Sequence, residues 1–99
     1  MDDARSARSY LTEWYLPDLG ETAVDDIVAR LDAAASEVTV EGTAVRLSVT
    51  LSVPTDEVLY GLFDADSPEA VVTTCQRAGV PHQRISTHVI ARIAREVPM

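Results

Sequence analysis

The chain carries one cysteine, Cys75, in 99 residues. A lone thiol makes no internal disulfide, so nothing in the sequence calls for an oxidising compartment. Basic residues are also scarce: eight Lys and Arg stand against sixteen Asp and Glu, for a net charge of -8. Such a chain repels phosphate backbones and anionic lipid surfaces, which argues against nucleic-acid and membrane partners. No apolar run approaches the ~20 residues that a spanning helix needs. The opening MDDARSARSY lacks the apolar core of a signal peptide, so the expected address is the cytoplasm. Low-complexity tracts, linkers and metal-spaced cysteine pairs are missing as well. What is present is ordinary globular material, 46% hydrophobic and 24% charged. A chain of this length makes one domain and buries roughly two-thirds of its unfolded surface. Residues 1–9 read as a polar leader, 10–93 as the domain and 94–99 as a tail.

The best-punctuated stretch is Val58 to Pro81, VLYGLFDADSPEAVVTTCQRAGVP. Val58 to Phe63 is expected as a strand, with Gly61 marking a bulge or a close approach. Asp64 and Asp66 belong to the turn that follows. Ser67 caps a helix, Pro68 takes its first position and Glu69 meets its dipole. Gly79 and Pro81 end that helix, which carries Val71, Val72, Cys75 and Ala78. Cys75 reads as a small buried apolar residue.

The remaining elements follow by period. Tyr10 to Leu16 is a strand stopped by Pro17, with Tyr10, Thr12 and Trp14 on one face and Leu11, Glu13 and Tyr15 on the other. Thr22 is expected to cap a helix to about Ala35, with Val24, Ile27, Val28 and Leu31 as its apolar stripe. Asp25 and Asp26 fall in its first turn and read as dipole partners rather than a metal pair. Val38 to Val40 is expected as a short strand piece. From Val45 to Val53 apolar and polar residues alternate strictly, so Val45, Leu47, Val49, Leu51 and Val53 are expected to meet the helices. Pro54 to Glu57 forms the hairpin turn, and Arg84 to about Ile93 the last strand.

The order is strand, helix, strand, strand, helix, strand. That is the split, ferredoxin-like βαββαβ arrangement: an α+β fold with a four-stranded antiparallel sheet and two helices on one face. The other face needs cover, so a homodimer paired as a dimeric α+β barrel is expected.

The motifs EWYLPDL and LSVPTDEVLYGLFDADSPEAVVTTCQRAGVPHQRI resemble a family of small, mostly bacterial domains of unknown function. Its members read E-x-x-L-P-G early and V-P-x-D-E, then L-F-x-A-x-S-x-E-A-V and A-G-x-P-x-x-R-I later. Pro54, Asp56, Glu57, Phe63, Ser67, Glu69, Ala70, Ala78, Gly79, Pro81 and Arg84 fit, as do Glu13, Leu16 and Pro17. Asp18 stands where the pattern has glycine, which implies a different first turn. The resemblance spans about residues 10 to 91. It implies a ferredoxin-like dimer and, through a nickel-binding member, a divalent metal such as nickel as ligand.

Candidate chemistry rests on two histidines, His82 and His88. His88 is expected on the less apolar sheet face with Glu13, Arg46, Ser48 and Thr50. Imidazole and carboxylate in a partly dry cleft suit a borderline divalent metal, giving Glu13, His88 and His82 as candidate ligands. The same pair also suits a base and its orienting partner. In the plain alternative, His88 is an interface residue and Glu13 pairs with an arginine. Three functions stay open: a dimeric metal- or ligand-binding protein, a cofactor-free α+β barrel enzyme of monooxygenase or isomerase type, and a structural or regulatory dimer.

Overall fold

The computed structural model describes residues 8–92. In chain order they form β1 (Arg8–Tyr15), α1 (Glu21–Val40), β2 (Val45–Val53), β3 (Val58–Ala65), α2 (Pro68–Arg77) and β4 (Arg84–Val89). A short 3-10 turn, Pro54–Asp56, joins β2 to β3. The strands make one antiparallel sheet in the order β2-β3-β1-β4. This is the ferredoxin-like α+β arrangement expected from the element order.

Alternation along β1 explains the core. Tyr10 and Trp14 are buried with Leu59 and Phe63 of β3 in one cluster. Thr12 is buried on the same side and its hydroxyl donates to the Gly61 carbonyl at 3.0 Å. Ile27, Leu31, Ala34, Ala35 and Val38 of α1 and Ala70, Val71 and Cys75 of α2 close over them. The Trp14 indole donates to the Val80 carbonyl at 2.8 Å, which satisfies its one polar atom and ties down the chain beyond α2. Serine 67 caps α2 as expected, its hydroxyl accepting from the Ala70 amide at 3.2 Å.

Several boundaries differ from the sequence reading. β1 starts at Arg8, so Arg8 and Ser9 belong to the sheet. β4 stops at Val89; the expected end at Ile93 and the 94–99 tail lie outside the described residues, as do residues 1–7. Thr22 does not cap α1: extended Gly20 holds the N-cap and no side chain bonds there. Asp26 instead pairs with Arg30 one turn on, at 3.1 Å. The helix also runs through Val38, Thr39 and Val40 rather than yielding a strand. Burying Val38 in the core outweighs the β preference of that triplet. Glu41 then caps α1, an acid where the helix dipole favours a cation. Arg77 of α2 compensates with a two-pronged bond to its carboxylate, at 2.6 and 3.0 Å.

Asp64 is a strand residue, not part of the turn into α2, and Arg46 pairs with it at 2.9 Å. Asp18 adopts a φ of 56°, the left-handed conformation that glycine adopts most readily, so the first turn uses glycine geometry without glycine.

Candidate functional site

The helices leave one sheet face uncovered, and two bulges decide what it presents. In β2 the register slips between Leu47 and Val49. Val45 and Leu47 stand opposite Ala65 and Phe63 on the helix side. Beyond the slip, Val49 pairs with Leu62, Leu51 with Tyr60 and Val53 with Val58. These last three valine and leucine positions therefore turn away from the helices. The expectation that all five alternating residues of β2 meet the helices is corrected for Val49, Leu51 and Val53. Leu51 is consequently 59% exposed.

A second irregularity lies between β1 and β4, where Leu11 pairs with Ser86 but Ser9 pairs with Val89. Between these pairs one residue of β1, Tyr10, opposes two of β4, Thr87 and His88. Val89, rather than His88, then shares the face of Ser9 and Leu11. The uncovered face is thus more apolar than strict alternation predicts: it gains Val49, Leu51, Val53 and Val89 beside Leu11, Tyr60 and Leu62.

Two polar groups stand among them: Arg46 with Asp64 and Ser9 at one end, and a cluster around Glu13. The Glu13 side chain is only 13% exposed and its carboxylate accepts from the Tyr15 hydroxyl at 2.7 Å. Arg84 Nε lies 3.7 Å from the other carboxylate oxygen, as the pairing of Glu13 with Arg84 across β1 and β4 requires. The Tyr15 phenol titrates above its ordinary value, first because it donates to Glu13 and then through partial desolvation. The Gln83 side chain accepts from the Tyr15 amide, and the Gln83 amide donates to the Glu13 carbonyl at 2.9 Å. The carboxylate is thus held in place within the chain.

The other predicted site residues lie apart. His88 lies four positions beyond Arg84 on β4, so it sits about 13 Å along the strand from the position facing Glu13. It is exposed and lines a cavity of about 380 Å³ with Arg8, Ser9, Thr87 and Ile90. His82 is half-buried before β4, and its Nδ1 is buried with no hydrogen-bond partner among the described residues. Among the described residues no three His, Cys, Asp or Glu side chains gather as a metal would need. Within the described chain Glu13, His82 and His88 are not brought together, and Arg84 supplies the cation beside Glu13. Cys75 is fully buried, and desolvation pushes its thiol up to about 12.

A larger cavity, about 890 Å³, opens at the sheet edge between α1 and β2. No sequence signal pointed there, because its walls combine a helix stretch read as strand with a strand whose bulge was not visible. No helix of the described residues is long and apolar enough to cross a membrane.

The fold defines a ferredoxin-like α+β domain with one sheet face that its helices leave uncovered. The crystal structure of SCO4226 from Streptomyces coelicolor A3(2) is similar, with a TM-score of 0.74 at 15% identity. The likeness covers 85% of this chain and 99% of that one, and at this identity it shows the fold alone. No family model matches the chain, and no curated protein matches it.

Proposed function

We propose that this chain is a small homodimeric binding protein, closed by packing two uncovered sheet faces against each other. The carrying observation is the pair of bulges, which turn Val49, Leu51, Val53 and Val89 onto a face the helices do not cover. A contiguous apolar sheet of this kind marks an interaction surface. The pairing of Glu13 with Arg84 supports the same reading, because it compensates a mostly buried charge inside each subunit and adds no net repulsion across a twofold axis.

Light scattering after size exclusion tests it at about 100 μM, where a weak micromolar dimer is populated. The expected mass is twice the 10.7 kDa of the chain. Leu51→Lys should return it to a monomer with unchanged secondary structure. A wild-type monomer at that concentration would overturn the reading.

A divalent metal such as nickel is the ligand this dimer is proposed to take, with donors drawn from both subunits. The buried Nδ1 of His82, unpartnered among the described residues, supports it. Calorimetry with nickel, zinc and cobalt, repeated on His82→Ala and His88→Ala, decides the point. No heat with any of the three at about 100 μM protein eliminates metal and leaves the dimer standing. The catalytic alternative is less favoured: Trp14 and Phe63 fill the layer between helices and sheet where a barrel enzyme keeps its substrate.

A further inference from the structure

The cavity between α1 and β2 is unlike the rest of the surface. Its volume of about 890 Å³ lies in the range of small-molecule sites. Its walls are mostly apolar: Ala35 and Val40 from the helix, Val45 and Leu47 from the strand. Val40 is 86% exposed, a large apolar side chain at the rim. The wall is rigid at its lower end, where the Thr39 hydroxyl bonds both the amide and the carbonyl of Val45, at 3.1 and 3.0 Å.

Charge selects the occupant. Two carboxylates line the cavity, Asp32 and Asp64. Asp64 is neutralised by Arg46 at 2.9 Å. Asp32 has no ion-pair partner among the described residues, and Ser36 follows it one turn on, on the same helix face. Asp32 also lines an adjoining cavity of about 160 Å³ beside the β2 bulge at Ser48. It therefore stands where the larger, apolar hollow meets a smaller one lined in part by Ser48 and Thr50. The net charge of -8 adds a field that draws cations to the surface.

We propose that the α1–β2 cavity is a binding site for an amphipathic organic cation. The ammonium group sits at the Asp32 carboxylate with the Ser36 hydroxyl as second acceptor, and the apolar chain runs along Ala35, Val40, Val45 and Leu47. Ionised carboxylate and hydroxyl oxygens both accept from an ammonium, which carries donors only. The ligand contacts lie on the helix side of the sheet; of the lining, Arg46 and Asp64 alone belong to the uncovered face.

The test is amide chemical-shift mapping on the full chain with butyl-, pentyl- and hexylammonium, against hexanoate and hexanol as matched probes. Shifts are expected at Asp32 to Val40 and Ala44 to Leu47. Affinity should rise about threefold to fourfold per methylene. Asp32→Asn should weaken hexylammonium about threefold to fivefold. Ser36→Trp, at an exposed rim position, should block it while leaving the melting temperature unchanged. Equal binding of hexanoate, shifts confined to the uncovered sheet face, or no shifts up to about 10 mM hexylammonium (a weak-binding limit of roughly 3 kcal/mol) would each overturn the proposal.

Discussion

The indole of Trp14 occupies the space that a side chain at position 61 would need. A Cβ built on Gly61 would lie 2.9 Å from Trp14 Cζ3 and 3.0 Å from both Trp14 Cη2 and Thr12 Oγ1. The glycine in the middle of β3 is therefore a packing device: a large aromatic on β1 covers the bare backbone of its neighbour. Trp14 is 1% exposed, so the ring has nowhere to retreat.

Gly61→Ala should accordingly destabilise the fold by about 1–3 kcal/mol, as overpacking does in a filled core. Denaturant unfolding measures this directly. The single tryptophan supplies the probe, and its native emission should shift to longer wavelength as the ring is pushed toward water. An unchanged midpoint and spectrum would mean that the contact is slack.

Asp18 offers the opposite sign. Its φ of 56° strains an L-residue, and position 18 is exposed. Asp18→Gly should stabilise by about 0.5–1 kcal/mol, less whatever flexibility glycine restores to the unfolded chain. Asp18→Val, β-branched and unable to relax there, should cost more than Asp18→Ala. Thermal melting of the three variants gives the order.

These two positions show how unevenly the sequence discloses the structure. Ser67, Pro68, Glu69 and Gly79 are local signals acting on local backbone, and the helix they delimit forms where they place it. Gly61 reads only as a bulge or a close approach, because the residue that settles the matter, Trp14, is remote in sequence. The same holds for β2. Its strict alternation describes an ideal strand, yet the slip beyond Leu47 is set by pairing with β3 and sends Leu51 to the opposite face. Glu13 was visible as a candidate from its strand position; its separation from His88 depends on the register with β4, which no single strand encodes.

Cys75 ties stability to alkaline pH. Its thiol is raised from an ordinary 9.0 to about 12 by burial. Between those values the unfolded chain has released the proton and the folded chain has kept it, so raising pH favours unfolding. The contribution is complete below about pH 9 and is lost progressively toward pH 12. Cys75→Ala should flatten the fall in melting temperature over that window relative to wild type, whatever packing it forfeits at neutral pH. At pH 8 the wild-type thiol should resist a disulfide reagent until denaturant is added, since the thiolate is the reactive form.

The Glu13–Arg84 pair separates two roles of charge on the uncovered face. Glu13 is 13% exposed whereas Arg84 is 67% exposed, so the arginine is screened by water and the glutamate is not. Removing Arg84 leaves a mostly buried carboxylate with only the Tyr15 hydroxyl. Arg84→Met should therefore lower stability, by roughly 0.5–1 kcal/mol after allowing for that screening. Glu13→Leu removes the buried charge from an apolar setting, and the double variant should be closer to wild type than Arg84→Met alone. A double-mutant cycle from denaturant melts at fixed protein concentration yields the coupling, concentration being held because dimer formation would also shift the midpoints. If Arg84→Met and the double variant lose the same stability, the carboxylate does not depend on its arginine and water reaches it directly.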